Sequence, residues 1–127
     1  GSQVSPAPSP IAAEDGKQKI VAAVISYLKD NISNPVTLDS VVENIRFSKT
    51  YLKEIFRKVT GTTIMKYLTS LRIDLAKELL SEGGHTVSEI SVKCGYQTVH
   101  YFSNAFKKET GMTPSEYAKT VGKRGIL

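Results

Sequence analysis

The chain has one cysteine, two histidines and no tryptophan among its 127 residues. With Cys94 as the sole thiol, no intrachain disulfide can form, which fits a reducing compartment. Cys and His are too scarce for a zinc site of ordinary composition, so no metal and no cofactor is expected. Neither His85 nor His100 belongs to a carboxylate pair or a Cys-His set positioned by the pattern, and there is no glycine-rich phosphate loop. These absences exclude the common catalytic arrangements, so no enzyme is expected. No apolar run approaches membrane length, the first residues lack the basic start and apolar stretch of a secretion signal, and no segment alternates like a strand. The expected class is an all-α, cytoplasmic protein without membrane contact.

What is present is basic charge, unevenly placed. Seventeen Lys and Arg against twelve Asp and Glu give +5. From Arg46 to Leu127 the count is fourteen basic against seven acidic, so the imbalance lies in the C-terminal two thirds and suits a polyanion partner. At the other end, Gly1-Ser2 resembles an expression remnant, and Val4 to Asp15, with Pro6, Pro8 and Pro10, reads as a flexible linker. Residues 1–16 are too short for a sensor domain; they read as the joint left in a fragment of a longer protein or as a short tail on a complete regulator.

Comparison of the chain with itself shows a repeat. Shifted by fifty residues, Tyr51, Phe56, Lys58, Thr60, Gly61, Thr63 and Tyr67 fall on Tyr101, Phe106, Lys108, Thr110, Gly111, Thr113 and Tyr117. Just upstream the shift is forty-nine and pairs Thr37 with Thr86, Ile45 with Cys94 and Phe47 with Tyr96. Two copies are too few for a solenoid, so a duplicated small domain is the better reading.

Each copy reads as helix, tight turn, helix. Thr37 caps a short helix through Asn44, the turn is Ile45 to Phe47, and Ser48 caps a second helix that ends at Thr60-Gly61. In the second copy Thr86 and Glu89 form a capping box, Cys94-Gly95-Tyr96 is the turn, and Thr98 opens a helix closed by Thr110-Gly111. Thr113-Pro114-Ser115-Glu116 starts a further helix with a second box. A preceding helix, about Lys17 to Asn31, buries Ile20, Val21, Val24, Ile25 and Leu28. Between the copies, Ile64 to Glu82 carries two stripes, Ile64-Leu68-Leu71-Leu75-Leu79 and Ile73-Ala76-Leu80, as a rod gripped by both halves would. The division is then residues 1–16 linker, 17–61 first helix-turn-helix subdomain, 62–82 linking helix, 83–121 second subdomain and 122–127 tail.

In the second helix of each copy the apolar spacing separates two faces. Leu52, Ile55, Phe56 and Val59 face the core, which turns Thr50, Lys53, Glu54 and Arg57 outward; Phe102, Ala105 and Phe106 do the same for His100, Ser103, Asn104 and Lys107. Lys can donate to guanine, Asn can bond adenine bidentately and Glu can accept from cytosine. Lys49, Arg57, Lys58, Lys107 and Lys108, with Ser48 and Thr98 at the helix starts, are placed for phosphates. Glu54 belongs near phosphate only if it meets a cytosine amino group or pairs with Lys53 or Lys58. Tyr51, Tyr67, Tyr101 and Tyr117 read as core or rim packing, Cys94 as a small buried apolar group, and Arg72 as a buried ion-pair residue. A helical module that binds a partner protein would share the helices, but not the matched polar faces or the basic bias. RNA is a weaker alternative to double-stranded DNA.

The stretch from Ser48 to Gly61, that from Gly95 to Tyr117, and Arg72-Ile-Asp-Leu-Ala-Lys-Glu-Leu-Leu resemble the DNA-binding domain of AraC/XylS-type bacterial transcription regulators over about Lys17 to Thr120. The resemblance implies seven helices and two recognition helices in successive major grooves. The implied base readers are Thr50, Lys53 and Glu54, then Val99, His100, Ser103 and Asn104, with Val99 contributed by the resemblance alone. It also implies a bacterial cytoplasm, association with the nucleoid when bound, and RNA polymerase as a further partner. A single chain carrying two unlike readers is expected to bind an asymmetric bipartite site as a monomer. One departure is Arg46, where the family usually has the turn glycine; a positive φ there would cost Arg about 1 kcal/mol relative to Gly.

Overall fold

The computed structural model describes residues 10–126, with side chains placed for residues 16–121. The expected linker before Pro10 lies outside the described residues. Seven helices follow in order: α1 (Pro10–Asp30), α2 (Leu38–Ile45), α3 (Lys49–Thr60), α4 (Ile64–Glu82), α5 (Val87–Lys93), α6 (Val99–Thr110) and α7 (Pro114–Ile126). The described residues contain no strand. Two boundaries differ from expectation. α1 begins at Pro10 and not at Lys17, because proline suits the first helical position, where no intrahelical N–H bond is needed. α7 likewise continues to Ile126 through residues expected to form a tail.

The caps fall where local chemistry put them. Thr37, Ser48, Thr86 and Thr98 are extended N-caps whose hydroxyls accept from the backbone N–H of Ser40, Tyr51, Glu89 and Tyr101. Both expected boxes close: Thr86 N–H donates to Glu89 Oε1 at 2.8 Å and Thr113 N–H to Glu116 Oε1 at 2.9 Å. Those backbone donors hold both glutamates below the usual carboxylate range. The two copies also end alike. Thr60 and Thr110 donate to the carbonyls of Phe56 and Phe106 at 2.7 and 2.8 Å, and Gly61 and Gly111 are left-handed at φ 81° and 83°.

Two compact units result. The first comprises residues 37–65 and the chain up to Asp30; the second comprises Lys66 onward together with Asn31–Val36. In the first, α1 packs on α2 and α3, and Val21, Val24, Leu28, Val41, Leu52, Ile55 and Phe56 are buried. In the second, Ile73, Ala76 and Leu80 of α4 meet Ile90, Cys94, Tyr96, Phe102 and Phe106 in one cluster, flanked by Tyr117. The expected gripped rod is thus divided unequally: all of α4 but Ile64 and Met65 belongs to the second unit. The α1–α2 connection also belongs there, through bonds made by Arg72 and Ser33.

Two side chains depart from their expected surroundings. Val59 is 39% exposed, although its spacing placed it on the core face. Arg72 is half-buried but bonds backbone carbonyls, not a carboxylate. Tyr101 is 66% exposed and packs only at the rim, its ring 5.7 Å from that of Tyr96.

Arg46 adopts φ 67° and is the only positive-φ residue other than glycine in the described chain. It caps α2, its N–H donating to the Val42 carbonyl at 2.8 Å. The left-handed region costs an L-residue about 1–2 kcal/mol, and glycine returns part of that gain through its greater freedom when unfolded. Arg46→Gly is therefore expected to stabilise the protein by about 0.5–1 kcal/mol in denaturant titration. A loss of stability would show that the Arg46 side chain contributes more than its backbone costs.

Candidate nucleic-acid interface

The second helix of each copy presents the face that its apolar spacing left outward. On α3, Leu52, Ile55 and Phe56 are buried, while Thr50, Lys53, Glu54, Arg57 and Lys58 are exposed. On α6, Phe102 and Phe106 are buried and Ala105 is half-buried, while His100, Asn104, Lys107 and Lys108 are exposed. Ser103 is half-buried, at the edge of that face, and Val99 opens the helix 37% exposed. Each proposed reader thus carries its polar set on one side and its anchoring aromatic on the other.

Local contacts constrain some of these groups. Asn104 and His100, one turn apart on α6, lie 3.3 Å from each other between Nδ2 and Nε2. Lys49 is paired with Asp39 of α2 at 2.7 Å, a contact absent from the sequence reading because Asp39 is an ordinary acidic residue in the first turn of its helix. That pair is exposed on both sides and adds little stability. Neither Lys53 nor Lys58 pairs with Glu54 among the described residues, so the carboxylate of Glu54 is left to face outward. At the start of α3 and of α6 an aromatic pair recurs: Phe47 with Tyr51 at 5.5 Å and Tyr96 with Tyr101 at 5.7 Å.

Among the described residues, no group of three His, Cys, Asp or Glu side chains lies close enough to hold a metal ion. Cys94 is fully buried, and burial pushes its thiol up to about 11 while nearby Arg72 pulls the other way. It is a packed thiol in a core cluster, unsuited to nucleophilic work. No described helix is long and apolar enough to cross a membrane.

Comparison with known proteins gives the fold a family. A family model described as a helix-turn-helix domain matches residues 41–120, well over half of the chain. The HTH-type transcriptional activator RhaR of Salmonella schwarzengrund is 37% identical over 101 residues, which are 80% of this chain and 36% of that protein. The chain thus spans about a third of that relative's length. The C-terminal domain of AraT, a response regulator from Geobacillus stearothermophilus, superposes with a TM-score of 0.77 at 36% identity, covering 80% of this chain and 84% of that one. An AraC-type transcriptional regulator from Chromobacterium violaceum superposes with a TM-score of 0.76 at 25% identity, covering 84% and 96%. The chain belongs to the AraC-type family of helix-turn-helix DNA-binding domains, a family of bacterial transcription regulators and not of enzymes.

Proposed function

We propose that this chain, as a monomer, reads an asymmetric bipartite site in double-stranded DNA, with α3 and α6 each entering a major groove. The observation that carries the proposal is the pair of equivalent but unlike polar faces on α3 and α6. Thr50, Lys53 and Glu54 are the base readers of the first, and Val99, His100, Ser103 and Asn104 those of the second. Val99 supplies methyl groups suited to a thymine methyl, and Glu54, having no lysine partner, suits a cytosine amino group. Lys49, Arg57, Lys58, Lys107 and Lys108 contact phosphates. Ser48 and Thr98 join them, since a hydroxyl that accepts a backbone N–H still has its own hydrogen to donate. In the whole regulator this binding controls transcription in the bacterial cytoplasm, on the nucleoid, with RNA polymerase as the further partner that membership of the family brings.

Fluorescence anisotropy with a duplex selected from genomic fragments and with a random duplex tests the proposal. If the basic residues and helix N-termini neutralise roughly six phosphates, log K falls against log salt with a slope near −5. Lys107→Ala is expected to weaken both duplexes alike and flatten the slope by about one unit. Lys53→Ala and Asn104→Ala are expected to cost roughly 1–3 kcal/mol on the selected duplex and almost nothing on the random one. An affinity indifferent to salt would overturn the DNA reading.

A further inference from the structure

The turn of the second helix-turn-helix is covered by a cation that has no acid beside it. Arg72 projects from α4, and its Nε donates to the Ile32 carbonyl at 3.2 Å while Nη2 donates to the Asn34 carbonyl at 2.9 Å. The guanidinium lies over the Tyr96 ring, 5.7 Å from its centroid. Ser33, between those two carbonyls in sequence, donates its hydroxyl to the Lys93 carbonyl at the end of α5, at 2.6 Å. The irregular segment Asn31–Val36 is thus bonded to both α4 and α5, and all of these residues lie within the second unit.

A half-buried guanidinium is costly unless its donors are met. Here two carbonyls of a segment without helix or strand meet them, and the same bonds satisfy acceptors that would otherwise need water. Desolvation lowers the Arg72 pKa, and the negative charge that Tyr96, Cys94 and Tyr101 take on when ionised opposes that fall. Beneath the cation, Tyr96 is buried and packs on Tyr101 and Phe102 at 5.7 and 5.4 Å, the first turn of α6. Phe102 in turn meets Phe106 at 5.9 Å. A continuous path of contacts therefore joins Arg72 to Phe102 and Phe106, the buried residues of α6.

The first copy lacks this arrangement. At the two repeat shifts, the residues standing in for Arg72 are Ala22 and Ala23, which have no donor to offer. The turn position that Gly95 occupies is filled by Arg46, whose side chain is exposed. At Gly95 a Cβ would lie 2.1 Å from the Ile32 carbonyl oxygen and 2.9 Å from Arg72 Nη2. One turn is open and tolerates a side chain, whereas the other is roofed and does not.

We propose that Arg72 is a positioning residue for DNA reading by α6. By clamping the Asn31–Val36 segment and the Tyr96 ring over Gly95, it sets the direction in which Val99, His100, Ser103 and Asn104 are presented. The proposal rests on α3 and α6 being the DNA readers. Arg72 touches no base and no phosphate in this scheme, and α3 is independent of it.

The test uses the whole chain with Arg72→Ala, Arg72→Lys and Ser33→Ala, each measured well below its own melting temperature. Arg72→Lys keeps the charge but loses the fork that reaches two carbonyls at once. Both Arg72 variants are expected to bind the selected duplex about 10-fold more weakly, and Ser33→Ala about 2- to 3-fold. Affinity for the random duplex and its salt slope should stay within about 2-fold of the parent. Base-pair substitutions should lose their penalties only in the half-site where Asn104→Ala also relaxes discrimination. In double-mutant cycles Arg72→Ala should be non-additive with Asn104→Ala and additive with Lys53→Ala. A loss spread evenly over both half-sites, or additivity with both partners, would make Arg72 a stabilising residue only and overturn the proposal. If Arg72→Ala fails to fold, Arg72→Lys and Ser33→Ala carry the same comparison. If the parent chain itself shows no preference for the selected duplex, the underlying reading fails and this proposal falls with it.

Discussion

Gly95→Ala is expected to destabilise the second unit by about 2–5 kcal/mol. Two costs add. The residue sits at φ 84°, in the left-handed region, where a Cβ costs about 1–2 kcal/mol. The new methyl would also be driven against the Ile32 carbonyl at 2.1 Å, a backbone atom that cannot rotate away, and against the Arg72 guanidinium at 2.9–3.0 Å. Such overpacking adds about 1–3 kcal/mol. Gly111 provides the internal control, since its φ of 83° is nearly the same but nothing lies within 4 Å of its Cβ position. Gly111→Ala should therefore cost only the backbone term, about 1–2 kcal/mol. Denaturant titrations of the two variants separate backbone strain from the clash. Equal losses would mean that the roof over Gly95 gives way easily and contributes little.

Inserting about five base pairs between the half-sites is expected to reduce affinity for the selected duplex by about 100-fold or more. Half a helical turn puts the second half-site on the opposite face of the duplex, so that only one reader engages at a time. The gain from linking two readers is then lost without the removal of any contact residue. α4 is continuous over nineteen residues, about 28 Å of helix, and cannot lengthen to follow the DNA. An insertion of about ten base pairs restores the face but adds roughly 34 Å, so it too should fail to recover binding. Footprinting and stoichiometry on the parent and expanded duplexes are the measurements. Tolerance of the half-turn insertion, or two chains on a palindrome, would rule out a monomer reading a bipartite site.

Much of the arrangement of α3 and α6 was legible because its signals are local. An N-cap is a hydroxyl and an N–H three residues on, so Ser48 and Thr98 mark the starts of α3 and α6 without reference to the rest of the chain. The left-handed termini at Gly61 and Gly111 are equally local. Helical periodicity then divides α3 and α6 into buried and exposed faces, and the repeat shows that the division occurs twice. It fails at Val59, which is 39% exposed: periodicity assigns a residue to a face and does not say how far a neighbouring element covers it. Tyr101 lies at the rim while Tyr51 is half-buried: the repeat equates the two, but only packing decides how far each ring is shielded.

By itself, then, the amino-acid sequence determined the helical class, the duplication, the caps, the two polar faces and the family, all of which depend on residues a few positions apart or on direct self-comparison. The tertiary structure alone decided what Arg72 bonds, why Gly95 must be glycine where Arg46 is tolerated, and which unit owns Asn31–Val36. Arg72 and its carbonyl partners are 38 and 40 residues apart. No periodicity or spacing encodes a contact at that range, because the acceptors are backbone carbonyls that every residue carries. A guanidinium in the sequence points to a carboxylate; only the folded chain shows that two peptide oxygens and a tyrosine ring stand in its place.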